Sequence, residues 1–152
     1  MIELQWGIEP QAVPTEEQVT QWAQTALSRA GRSGDLTVRI VSPEEIQALN
    51  ATYRGKDQPT NVLSFPFEIP QDVADALDDA YLGDVAICAE VVANEAEAQG
   101  KPLTAHWAHM VVHGTLHLLG FDHIKPDQAQ EMERLETEIL AELGFANPYE
   151  EV

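Results

Sequence analysis

The chain has 152 residues, 26 acidic and 8 basic, for a formal net charge of −18. That length suits one domain, residues 1–152, able to bury a real core. The charge repels polyanions in general, so loose nucleic-acid binding is disfavoured and no DNA partner is expected. A single cysteine, Cys88, excludes an internal disulfide framework and fits a reducing compartment. The first residues lack a basic region leading into a long apolar run, and no stretch approaches the roughly eighteen apolar residues of a membrane span. A soluble cytoplasmic protein with no membrane partner is the expectation.

Residues 2–8 alternate apolar and polar, with Ile2, Leu4, Trp6 and Ile8 on one face, the period of a strand. Residues 15–30 read as a helix: Thr15 and Gln18 resemble a capping box, and Val19, Trp22, Ala23, Ala26 and Leu27 form its apolar face. A turn from Gly31 to Gly34 ends it, and residues 36–41 alternate again as a second strand. Ser42-Pro43-Glu44-Glu45 is a strong helix start, with a capping hydroxyl, proline in the first turn and acids favoured by the helix dipole. This helix is predicted to run to about Thr52.

Residues 53–61 form a polar loop that carries Arg54 and Lys56, two of the eight basic residues. Lys56 reads as a solvated loop residue. Residues 62–67 have strand character, and Pro66 confines that strand to a sheet edge or bulge. Residues 68–81 are acidic and aperiodic, a loop by pattern. Residues 82–88 read as a buried strand and residues 89–99 as a helix closed by Gly100. Asp84 fits either a carboxylate that orients a ligand histidine or an acid at a turn or sheet edge.

Pro102 opens a helix predicted to reach Leu119, apolar nearly all round and therefore buried. His106, His109, His113 and His117 share one sector of it, a polar stripe facing a cavity. Lys125-Pro126-Asp127 starts the last helix, to about Leu143, with Met132, Leu135, Ile139 and Leu143 inward. Residues from Gly144 onward read as a tail. The pattern thus gives four strands and five helices, without internal repeats or a phosphate-binding glycine loop.

The chemistry centres on His113-Gly-Thr-Leu-His117-Leu-Leu-Gly120-Phe-Asp-His123. Histidines four apart on a helix lie one turn apart on one face, so both rings can reach one metal ion. Gly120 stands where a left-handed cap can end the helix and turn the chain back to offer His123 as a third ligand. Three neutral imidazoles plus a water form the open coordination of one catalytic Zn2+ rather than a closed structural site. His109 and His113 are also four apart, but only His113 and His117 reach the Gly120 turn with His123 close behind. His106 and His109 are then structural residues or neighbours of the site. The spacing is that of metzincin peptidases, yet the glutamate that serves them as general base is here Gly114. A peptide substrate is thereby demoted in favour of one whose hydrolysis leans on charge neutralisation.

Together with residues 50–66, Asn-Ala-Thr-Tyr-Arg54-Gly-Lys-Asp-Gln-Pro-Thr-Asn-Val-Leu-Ser-Phe-Pro66, and with Leu82-Gly-Asp84-Val, this segment resembles the YbeY family of bacterial single-strand-specific metallo-endoribonucleases. The resemblance implies an α/β (α+β) fold, a small mixed sheet packed by helices around a central metal-ligand helix. It implies zinc held by His113, His117 and His123, and an essential arginine at Arg54. It implies action on single-stranded RNA in 16S ribosomal RNA 3′-end maturation and ribosome quality control, with the small ribosomal subunit and its assembly factors as partners. Two rivals stand beside it. One is a metal-dependent hydrolase of another substrate, peptidase-like, with a base such as Glu68. The other is a non-catalytic ribosome assembly factor whose structural zinc gains a fourth ligand such as Asp122.

Overall fold

A computed structural model describes residues 2–11, 13–67, 81–121 and 126–149. Among the described residues nine elements follow in order: β1 (Ile2–Trp6), α1 (Glu16–Arg29), β2 (Asp35–Val41), α2 (Pro43–Arg54), β3 (Val62–Pro66), β4 (Tyr81–Cys88), α3 (Ala89–Gln99), α4 (Leu103–Leu118) and α5 (Pro126–Glu142). The acidic segment 68–80 and the segment 122–125 lie outside the described residues.

The local signals act as the sequence implies. Thr15 and Gln18 form a complete capping box, each side chain bonding the other's backbone N–H (3.1 and 2.9 Å). The Ser42 hydroxyl accepts from the Glu45 N–H at 3.2 Å, with Pro43 in the first turn. Helix α2 runs two residues further than expected, so Arg54 sits in its last turn rather than in the loop, and Gly55 caps it in the left-handed region at φ 71°.

The four strands form one mixed sheet in the order β1-β2-β4-β3. β1 and β4 run parallel to β2, and β3 runs antiparallel to β4 at the sheet edge, where Pro66 needs no ladder partner on its outer side. Alternation divides the strands between two faces. Leu36, Val38, Ile40, Val85 and Ile87 point to the face covered by α1 and α4 and build the main core with Val19, Trp22, Trp107, Val111 and Leu116. Each such fully buried aliphatic side chain contributes about 1.5–3 kcal/mol. On the other face Val41, Leu63 and Cys88 meet Ile46 of α2 in a smaller cluster.

Helix α4 is the central element. It packs on β3 and β4 on one side and on α1, α3 and α5 on others, and ten of its sixteen residues are buried. Its tightest approach is at Gly114, where an added Cβ would stand 2.5 Å from Val85 Cγ1 and 3.2 Å from Val62 Cγ2. The Ser64 hydroxyl donates to the Gly114 carbonyl at 2.9 Å, fixing β3 against this point. The position where a metzincin places its glutamate is therefore packed flat on the sheet.

Candidate metal centre

Helix α4 ends in a Schellman arrangement: Gly120 N donates to His117 O at 3.0 Å and Phe121 N to Leu116 O at 3.1 Å, with Gly120 at φ 97°. The chain thus turns where the glycine predicts. His123 and Asp122, the expected third ligand and its rival, lie outside the described residues.

His113 and His117 face each other across one helical turn, with Nε2 to Nε2 at 3.1 Å. Two imidazole nitrogens at about 2.0–2.1 Å from a tetrahedral zinc stand roughly 3.3–3.4 Å apart, so this pair fits a shared ion within a few tenths of an ångström. The other nitrogen of His113, Nδ1, meets Glu136 Oε1 of α5 at 2.5 Å. A carboxylate on Nδ1 fixes the proton there and leaves the Nε2 lone pair toward His117, the arrangement that orients histidines on metals.

Glu136 is wholly buried, whereas the His113 side chain keeps 22% of its exposure. Its second oxygen, Oε2, accepts from His109 Nε2 at 3.1 Å and from the hydroxyl of Tyr149. Burial alone would push this carboxyl up, but the hydrogen bonds and charge of His109 and His113 outweigh it and bring it down to about 2. Burial, followed by the Glu136 charge and hydrogen bond, pushes the Tyr149 phenol far up, so Tyr149 keeps its proton and donates. The His109 Nδ1 atom is buried without a hydrogen-bond partner among the described residues. The network therefore assigns the His109 proton to Nε2, since an orphaned interior N–H is rarer than an unfilled lone pair.

Among the described residues, one group of three offers metal-ligating atoms within 4.8 Å of one another: His109, His113 and Glu136. A possible metal site thus exists on this helix face, overlapping the histidine pair at His113. A cleft of about 300 Å³ opens beside it, lined by His113, Ala129, Met132, Glu133, Glu136 and Tyr149.

His106 is held elsewhere. Its Nε2 meets Glu95 Oε1 at 3.0 Å, and Glu95 also accepts from the Asn61 side chain at 3.2 Å. Asn61 in turn receives Cys88 N on its carbonyl and Val62 N on its side chain. His106 is thus a brace between the histidine helix and the end of the loop that follows α2. Asn50 Nδ2 to Gln58 O, at 2.9 Å, pins the same loop from its other side.

Arg54 is exposed, with its neighbour Tyr53 edge-on to Phe65 of β3 at 4.7 Å. β3 is therefore the element between the end of α2 and the histidine helix. Asp84 takes neither of its two expected roles: it lies within β4, an interior strand, paired with Thr37 of β2 and Phe65 of β3 rather than at a turn or sheet edge. It is exposed on the sheet face opposite α4 and accepts from the Tyr81 hydroxyl, so it orients no histidine of α4.

The family model described as "Endoribonuclease YbeY" matches residues 6–144. The chain belongs to the YbeY endoribonuclease family. Its fold is also similar to the solution structure of TM1509 from Thermotoga maritima, with a TM-score of 0.58, 24% identity and 99% of each chain covered. That likeness bears on the fold alone. Membership of the YbeY family makes the chain a nuclease that acts on RNA.

Two residues of the centre escaped the sequence reading. Glu136 lies on the inner face of α5, between Met132 and Leu140, where a glutamate in the apolar stripe was the available signal. Tyr149 belongs to the segment read as a tail. Instead, Phe145 N donates to Leu140 O at 2.8 Å, the Phe145 ring meets Trp22, and Lys101 Nζ donates to Pro148 O at 3.0 Å.

Proposed function

We propose that this YbeY-family protein is a zinc-dependent, single-strand-specific endoribonuclease of the cytoplasm, working on 16S ribosomal RNA 3′ ends and in ribosome quality control. The observation that carries the metal assignment is the 3.1 Å approach of His113 Nε2 and His117 Nε2 with Glu136 behind His113. His123 is the third ligand in this reading. The rival set of His109, His113 and Glu136 needs the Nε2 proton of His109 removed and both histidine hydrogen bonds to Glu136 broken, so the pair nearer Gly120 is favoured.

A zinc ion held there supplies Lewis acidity and lowers the pKa of water. The residues of the chain do the rest. Glu136 holds the His113 proton on Nδ1. Arg54, exposed on the last turn of α2, neutralises charge that develops on the phosphoryl oxygens, a role its planar fork suits. The packing of Gly114 on Val85 leaves no room for a general-base carboxylate at that helix position, which disfavours peptide hydrolysis. With a net charge of −18, the substrate is best presented by the small ribosomal subunit or a basic assembly factor, which provides the positive surface this chain lacks.

The test is cleavage of end-labelled single-stranded RNA, with and without chelator, by wild type, His117→Ala and Arg54→Ala. Cleavage should be lost on chelation and in His117→Ala, and should fall at least a hundredfold in Arg54→Ala at unchanged metal content. Equal cleavage by wild type and His117→Ala sinks the metal assignment. Equal loss of metal in Arg54→Ala sinks the role given to the arginine.

A further inference from the structure

The segment after α5 carries a tyrosine, Tyr149, whose hydroxyl reaches the buried carboxylate beneath the histidine pair. We propose that Tyr149 is a positioning residue of the metal centre, holding Glu136 so that His113 presents Nε2 to the ion beside His117. The inference rests on the metal reading above and extends that centre to a third part of the chain.

Three observations carry it. Glu136 is fully buried and divides its two oxygens: Oε1 serves His113 Nδ1, while Oε2 takes both His109 Nε2 and the Tyr149 hydroxyl. Two donors on Oε2 lock the carboxylate plane, which leaves Oε1 in the one position that orients His113. The Tyr149 hydroxyl also stands 3.3 Å from His109 Nε2, and its ring is edge-on to His109 at 5.5 Å, so ring and hydroxyl are constrained together.

The segment that delivers Tyr149 is itself anchored. Asn147 Oδ1 accepts from Tyr149 N at 2.8 Å and from the Thr137 hydroxyl at 3.4 Å, and Lys101 grips the Pro148 carbonyl. These contacts fix the backbone at Pro148 and Tyr149 and so hold the phenol against Glu136. Without the hydroxyl, Oε2 keeps His109 alone. The carboxylate then gains freedom to rotate away from His113 or to compete for the ion itself.

The experiment is metal binding by full-length wild type, Tyr149→Phe, Glu136→Gln and His117→Ala, using zinc against a chromophoric chelator and the visible bands of bound cobalt. Tyr149→Phe keeps the ring and should weaken zinc binding about tenfold, with a changed cobalt spectrum, while the thermal midpoint of the metal-free protein stays near that of wild type. Glu136→Gln should weaken binding more. Zinc affinity and cobalt bands in Tyr149→Phe matching wild type would overturn the inference, as would a lowered metal-free midpoint with unchanged affinity, the mark of a merely structural contact. Wild type that takes up no ion, or binds as His117→Ala does, overturns the metal reading itself and this inference with it.

Discussion

His106 shows how one histidine of a stripe can brace the fold while its neighbours gather around Glu136 and one another. It is 4% exposed, bonded through Nε2 to Glu95, and its Nδ1 is buried without a partner among the described residues. Burial pushes its pKa below the ordinary 6.5, and the Glu95 hydrogen bond and charge oppose this without reversing it, while His109 and Lys101 add to the lowering. A histidine depressed in the folded state binds its proton more readily when unfolded. Its neutral form therefore adds stability above pH 6.5 that is lost as the pH falls through the folded-state pKa. His106→Gln retains a donor for Glu95 but cannot titrate. The variant should cost about 1 kcal/mol near neutrality yet lose less stability than wild type between neutral and mildly acidic pH, seen in thermal midpoints across that range. Parallel pH curves for the two proteins would show that this ring is not the one charging on acidification.

At the scale of elements, α4 sets the geometry because it is pressed onto the sheet at a glycine. Replacing glycine by alanine inside a helix favours the helix by about 1 kcal/mol, while overpacking a tight core costs about 1–3 kcal/mol. At Gly114 the Cβ would meet Val85, a stiff β-branched side chain, at 2.5 Å, so overpacking should win. Gly114→Ala should lower the midpoint in denaturant, and adding Val85→Ala should restore part of the loss relative to Val85→Ala alone; strict additivity would refute the contact. The same helix shows why some of the molecule was readable. Thr15 with Gln18, Ser42 with Pro43, and His113 with His117 are partners within a turn, so their spacing encodes their meeting. Glu136 meets His113 from 23 residues away, and Tyr149 meets His109 from 40, distances that no helical period expresses. Among the glutamates of α5, its place in the apolar stripe marks Glu136 as inward-facing, but only the packing of α5 on α4 shows that it meets His113. Likewise Phe145 lies past the last periodic turn, and only tertiary contacts, its ring on Trp22 of α1 and Lys101 on Pro148, distinguish a strap from a tail.

For the molecule as a whole, the excess of acid is the term that sets it apart from proteins that hold RNA by charge. A protein that neutralises phosphates with lysine and arginine loses affinity as salt rises, because released counterions no longer gain entropy. Here the long-range field has the opposite sign: 26 acidic residues against 8 basic ones give −18, and Arg29 and Arg39 are already engaged with Glu138 and Glu45. Free RNA must approach through repulsion before any short-range contact can form at Arg54 or the proposed metal centre. Raising the ionic strength shrinks the Debye length from roughly 30 Å at 0.01 M to about 8 Å at 0.15 M, which removes the barrier while leaving contact distances of a few ångströms much less affected. Association of free single-stranded RNA, followed by stopped-flow fluorescence, should therefore speed up over that salt range, severalfold rather than slow down. Association of free RNA that slows with salt would mean that a local basic path, Arg54 and Lys56 foremost, governs the encounter despite the net charge. The partner would then not be needed to deliver the strand.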